Sequence, residues 1–299
     1  MKFTLPLIIT FTLVLNACKN HSPIIEDWEA YLSESEAWQK NRLDRLKSEN
    51  GWLNLAGLFW LNEGENTFGS DSSNTIIFPE NFPSFGGNII LDNSTAYLYA
   101  NKEAEILVDS MPVAYMELKN DMQQGTTIME LRNYRWFIIK RGDRLGIRLR
   151  DLKNPRLGQL DHIPCFPVNK DWIVEAKLIP FDSSKTIEVP TAIENYVEYY
   201  TVPGELHFRM NGKELKLLPF AEKRGYFLIV GDATNGLETY GAGRFMFEEY
   251  REDGRIILDF NRLTNPPCAF SPFATCPLPP IENILDIEIT AGEKAVHID

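Results

Sequence analysis

Two stretches of this chain limit the folds open to it. YRWFIIKR (134–141), rich in β-branched and aromatic residues, and RLGIRLR (144–150), which alternates basic with apolar residues around Gly146, are separated only by Gly142 and Asp143. A two-residue link of that composition joins antiparallel strands through a tight turn. The arrangement recurs where 205–210 and 213–218 flank Asn211-Gly212, a pair that tolerates the positive φ such turns demand. The RGD tripeptide at 141–143 is therefore read as a turn and not as an adhesion motif. Further strands are expected over 87–91, 95–100, 172–179, 196–201, 226–230, 244–249, 256–260 and 285–289. Many short strands separated by turn signals predict a mainly β fold, either an antiparallel β-sandwich or a partly open barrel.

Ahead of the strands the periodicity changes. Ile25, Trp28, Leu32, Leu43 and Leu46 recur near helical spacing, and Asn50-Gly51 offers a stop. One helix or two should therefore form an N-terminal arm, in which Trp28 and Trp38 are read as packing residues. Upstream, MKFTLPLIITFTLVLNAC (1–18) has one basic residue, Lys2, and then an apolar run over 3–14, the form of a secretory signal. Its Leu-Asn-Ala-Cys ending resembles a bacterial lipobox, at which Cys18 would be lipidated and become the mature N-terminus. The run falls short of the ~20 apolar residues of a spanning helix. The expectation is a periplasmic body in the bacterial cell envelope, held to a membrane through a lipid on Cys18. The expected organisation is a signal peptide over 1–17, tether and helical arm over 18–50, an N-terminal β region over 51–119 and a β core over 120–295, with one continuous core across 51–289.

At 299 residues and 44% hydrophobic content the chain can bury a substantial interior. Its net charge of −12 argues against a nucleic-acid partner, because that role needs basic surface to displace counterions. A small anionic ligand would need a local Arg or Lys pocket. The chain contains no GxGxxG, P-loop, GxSxG or HExxH motif and no repeat, so no cofactor is identified.

Polar and backbone-special residues gather in the last quarter. GDATNGLETYGAGR (231–244) sets four glycines around Asp232, Glu238, Tyr240 and Arg244. Asp232 reads as the start of an Asx-type turn. An EF-hand is excluded because Ala233 and Leu237 do not fit its ligand frame and no glutamate closes it. In IILDFN (256–261), Asp259 and Asn261 share a face if the strand continues. Beside Arg244, Asp259 forms either a buried ion pair or the anchor of a polar ligand.

NPPCAFSPFATCPLPP (265–280) holds two cysteines and six prolines, which make it an ordered loop rather than a helix or central strand. Three readings of Cys268 and Cys276 stay open: a disulfide or packed thiols, a catalytic or redox-active thiol, or half of a metal site. Metal is disfavoured, because zinc prefers four ligands and His162, His207 and His297 are scattered. The loop is expected to lie over the end of the 256–261 strand and bring Cys268 to Asp259 and Arg244. Those three are the candidate catalytic set; Glu238, Tyr240, Arg244, Asn261 and Asn265 are the candidate ligand set.

ETYGAGRF (238–245), LDFN (258–261), NPPCAFSPFATCPLPPIEN (265–283) and AGEK (291–294) resemble the signature blocks of the DUF1684 family. The similarity continues upstream through GIRLRD (146–151), CFPVNKDW (165–172) and GWLNLAGLFWL with NTFGS (51–70). The family is uncharacterised, so the resemblance implies a motif map rather than a reaction. Cys165 stands where a bulky apolar residue is expected, which argues against a role for it. The function expected is an envelope lipoprotein binding a small polar ligand at the ETYGAGR, LDFN and NPPCAF motifs. The alternatives are an envelope hydrolase or redox enzyme using Cys268 or Cys276, and a structural lipoprotein with no ligand.

Overall fold

The computed structural model describes residues 24–298; the expected signal peptide and Cys18 lie outside them. The helical arm is a single α-helix, Trp28–Lys47. Asp27 caps it by accepting the Ala30 amide at 3.0 Å. Glu29 in the first turn and Arg45 and Lys47 in the last complement the helix dipole. Beyond the helix the chain is mainly β and mainly antiparallel, in sheets of six, five, four and four strands, none closed into a barrel.

The Tyr134–Arg141 and Arg144–Asp151 strands form the expected hairpin, in register from Tyr134 opposite Asp151 to Arg141 opposite Arg144. Leu55–Trp60 pairs with the far side of Arg144–Asp151. A second sheet carries Gly64–Gly69, Gly87–Asp92, Thr95–Ala100 and Tyr115–Leu118. The two sheets share one interior, in which Phe68, Ile89, Leu98, Met129, Trp136 and Ile147 are fully buried. Phe68, Phe78, Phe82 and Trp136 interlock there with ring centroids 4.9 to 6.2 Å apart, a spacing favourable for tilted and edge-on rings. The expected boundary between 119 and 120 thus crosses a shared core.

Ile173–Pro190 and Val197–Met210 are far longer than the short strands expected there, and they pair with a register break between Pro180 and Lys185. Asn211 and Gly212, at φ 50 and 77, turn the chain into Lys213–Leu217 as expected. Gly225–Asp232 pairs with Arg244–Glu249, and Ile256–Asp259 with the start of Ile173–Pro190. The interior here is a second cluster containing Trp172, Leu206, Leu228, Val230, Leu258, Phe260 and Ile289. Two large clusters therefore replace the single core expected. Two of the expected strands also shorten. Phe260 opens a 3-10 turn because Asp259 caps it, and of 285–289 only Leu285 is in a strand, Ile284–Leu285, because the backbone beyond it bonds to Arg244 and Asp232.

The helix lies across the second region. Tyr31 packs with Ile173 and Ile257, and Leu46 packs with Leu53, Leu160 and Phe270.

Candidate functional site

A cleft of about 870 Å³ opens between the helix and the Arg244–Glu249 and Ile256–Asp259 strands. Residues three and four apart on a helix share a face, so Tyr31, Glu34, Trp38, Arg42 and Arg45 all line it. The opposite wall carries Glu248, Asp259 and Arg262. Side chains alternate along a strand, which gives Glu248 the same phase as Met246 and Arg244.

Asp259 is the hub. Its Oδ2 accepts the Tyr31 hydroxyl at 2.7 Å and faces Arg262 Nε at 3.5 Å. Its Oδ1 accepts the Asn261 amide at 3.1 Å and closes the 3-10 turn that presents Arg262. Arg262 also reaches Glu34 at 3.0 Å and lies 4.8 Å from the Trp38 ring centroid. Glu248 Oε1 accepts the Asp259 backbone amide at 3.1 Å. Burial pushes the Glu248 carboxyl up to about 8; the nearby Asp259 adds to the rise, whereas the Asp259 amide, Arg262 and Arg251 oppose it. Burial, reinforced by Asp259, raises the Tyr31 hydroxyl too. Around neutral pH Glu248 is thus largely a proton donor, set among arginines in a walled cleft. Perturbed groups gathered in a concavity are the mark of a functional site.

The raised carboxyl also makes stability depend on pH. A group that binds its proton more tightly folded than unfolded adds stability that is complete below the unfolded value, about 4.3 for Glu, and is lost as pH rises through the folded one. Stability should therefore fall between about pH 4.3 and about pH 8. Denaturant midpoints of Glu248→Gln should fall less steeply over that window; parallel curves for the two proteins would assign the titration elsewhere.

The other candidate residues lie outside the cleft lining. Arg244 is fully buried, and its Nη2 bonds Asp232 Oδ2 at 2.9 Å and the Ile289 carbonyl at 3.0 Å. Its Nη1 donates to the carbonyls of Ala291 and Glu293. Asp232 Oδ1 accepts the amides of Thr234 at 2.9 Å and Ile289 at 3.2 Å, so the expected Asx-type turn doubles as a buried anchor. The partner of Arg244 is Asp232 and not Asp259, because the closing 289–293 segment folds over it and holds it away from the cleft. Asn261 bonds both the amide and the carbonyl of Asn169, each at 3.0 Å. The Asn265 amide donates to Glu293 Oε2 at 2.6 Å, and its side chain to the Lys294 carbonyl at 2.7 Å. Glu238 is exposed and pairs with Lys294 at 3.5 Å. Tyr240 is half-buried beside Cys268 and Cys276.

Cys268 and Cys276 are not joined in a disulfide in this structure, and the cation acting on them is Arg148. The loop that carries them is ordered by the Ala192 amide bonding the Cys276 carbonyl and the Leu278 amide bonding the Pro190 carbonyl, both at 2.8 Å. Phe270 docks against Leu46, Leu53 and Leu160 and not against the end of the 256–261 strand. The expected trio of Cys268, Asp259 and Arg244 is therefore dispersed. Of the residues expected to act, only Asp259 lies in the cleft. Tyr31, Glu34, Glu248 and Arg262 were missed; Tyr31 and Glu34 share a helix face with Trp38, but no local pattern marks that face or the strand and turn positions of Glu248 and Arg262 as a site. No group of three His, Cys, Asp or Glu able to hold a metal occurs among the described residues.

The family model described as "Protein of unknown function (DUF1684)" matches residues 158–294. An uncharacterized protein from gene locus rrnAC0354 of Haloarcula marismortui, solved by solution NMR, is 30% identical over 46% of this chain and 78% of its own, with a TM-score of 0.38. The chain belongs to the DUF1684 family. The family match takes in ETYGAGRF, LDFN, the Pro-rich loop and AGEK, while the blocks at 51–70 and 146–151 fall outside it. The Rv0020c FHA structure is 17% identical over 31% of this chain and 88% of its own, with a TM-score of 0.22. A comparison with curated proteins gives no match.

Proposed function

We propose that this DUF1684 protein binds a small polar ligand in the cleft between the helix and the Arg244–Glu249 strand, its body held to a bacterial envelope membrane by a lipid on Cys18. The observation that carries the binding reading is the Tyr31–Asp259–Arg262 cluster facing Glu248 across one wall of the cleft. The chain as a whole is acidic at −12, yet Arg42, Arg45, Arg251 and Arg262 all line this cleft. They face Glu34, Glu248, Glu249 and Asp259 on the same lining, so the cations outnumber the carboxylates only with Glu248 protonated, and by one, a slight bias toward a ligand with an anionic head. Trp38, Phe245, Phe247 and Tyr250 supply apolar surface beside them. The residues of the ETYGAGR and NPPCAF motifs support this site from behind rather than line it, apart from Phe245 at the motif's edge.

Glu248 favours a second reading. A carboxyl raised to about 8 beside a second carboxyl is the arrangement of an acid–base pair, so the bound ligand can also be a substrate that receives a proton.

A thermal-shift screen of small carboxylates and phosphates against the full chain tests the binding reading. A true ligand raises the melting temperature of the wild type and fails to raise that of Arg262→Ala or Glu248→Gln. A library without a hit, or hits that stabilise both variants equally, sinks it. Fatty-acid labelling that is lost in Cys18→Ser supports the tether; label retained there removes it.

A further inference from the structure

The Pro-rich loop folds back so that its two cysteines meet. The Cys268 amide donates to the Cys276 sulfur at 3.1 Å, and the two thiols influence each other's titration. Cys268 is half-buried and Cys276 buried, which makes Cys268 the more accessible residue of the two. Arg148 enters from the Arg144–Asp151 strand. It is buried, 4% exposed, its Nε has no partner, and its Nη2 reaches only Thr275 Oγ1, at a long 3.4 Å. Thr275 is the residue preceding Cys276. Asp121, the carboxylate acting on Arg148, is paired with Arg141 at 2.8 Å. Arg148 lies over the Trp52 ring at 5.5 Å, but a buried cation with no carboxylate bonded to it is costly, and a thiolate at Cys268 would offset its charge.

We propose that Cys268 and Cys276 form a redox-active dithiol that exchanges with small disulfides, Cys268 being the attacking sulfur, Cys276 the resolving one and Arg148 the counter-ion of the thiolate. The site is separate from the ligand cleft. Hydrogen bonding with Cys276 lowers the Cys268 thiol against the opposing effect of burial, and Arg148 lowers it further. The same bonding and burial raise Cys276. Cys165, by contrast, is pushed up to about 12 by burial and stays unreactive.

The exchange takes two displacements at sulfur. Cys268 releases its proton to water, and its thiolate attacks one sulfur of RS–SR, forming a Cys268–SR bond and expelling RS⁻. Cys276 gives its proton to that RS⁻ and attacks the Cys268 sulfur, so a second RS⁻ leaves and takes a proton from water. The protein dithiol is oxidised to a disulfide and RS–SR is reduced to two RSH. The prolines already hold the loop near its closed course, so little chain entropy is lost on closure.

The test is to incubate the full chain in glutathione buffers of graded disulfide content, quench with iodoacetamide, and weigh the intact protein and its peptides. Wild type should lose two hydrogens, yield a Cys268–Cys276 cross-linked peptide and recover with dithiothreitol, while Cys165 is never cross-linked. Cys276→Ser should accumulate glutathione on Cys268. In that background Arg148→Met should slow the reaction about threefold for each unit by which the thiol pKa rises, whereas Arg148→Lys, which keeps the charge, should not. Wild type that remains a dithiol at every ratio, or that cross-links through Cys165, overturns the proposal. If the Met and Lys variants slow the reaction equally, Arg148 is not the counter-ion. If Arg148→Met does not fold, the wild-type titration and the Cys276→Ser adduct decide alone.

Discussion

Replacing Arg244 with Met should destabilise the protein by about 3–5 kcal/mol, the range found when one member of a buried ion pair is removed. The side chain is fully buried and serves one carboxylate and three carbonyls, those of Ile289, Ala291 and Glu293. Methionine fills much of the volume but leaves Asp232 Oδ2 and those carbonyls without this donor. Asp232→Asn should also destabilise, because the amide oxygen can still accept the Thr234 and Ile289 amides but the neutral side chain leaves the buried Arg244 cation without its carboxylate. Guanidinium unfolding measures both variants, and proteolysis of Arg244→Met should begin within 285–298, the stretch it releases. A loss below about 1 kcal/mol would show that the pair is not a structural anchor.

Trp136→Ala should cost a similar 3–5 kcal/mol, since it empties the centre of the aromatic cluster formed with Phe68, Phe78 and Phe82. Trp136→Phe should cost much less. The indole N–H is buried without a partner, so its removal forfeits no hydrogen bond, and only the lost ring volume counts. Equal losses for the two variants would mean that the N–H is satisfied after all and that volume is not the deciding term.

The strand pattern was legible because the signals that fix it are local. Gly142-Asp143 and Asn211-Gly212 set their turns through the conformations those residues allow, and Gly51 stands within a few residues of the helix end, whereas the Asp27 cap at its start was not read from the sequence. Family membership was legible from whole motif blocks. The site was mostly not legible, because its bonds join distant parts of the chain. Tyr31 meets Asp259 across 228 residues, and nothing near Tyr31 in the sequence distinguishes it from a core aromatic. The same distance hid Trp38, read as packing, which faces Arg262 in the cleft. The choice of Asp232 over Asp259 as the partner of Arg244 depends on the course of the 289–293 backbone, which obeys no periodic pattern. Proline content announced an ordered loop correctly, but where Phe270 docks depends on the helix end and the residues around Leu160.

The helix is joined to the sheets by side chains rather than by backbone ladders, and its principal fastenings are Tyr31 to Asp259, Glu34 to Arg262, and Arg42 to Glu293 and the Asn265 carbonyl. It is also the first element after the described N-terminus and one whole wall of the cleft. Mechanically this makes the cleft a clasp on the upstream side of the molecule. A pull arriving from residue 24 loads the packing of Ile24 and Ile25 and then the Tyr31 fastening, and the clasp opens while the sheets stay intact.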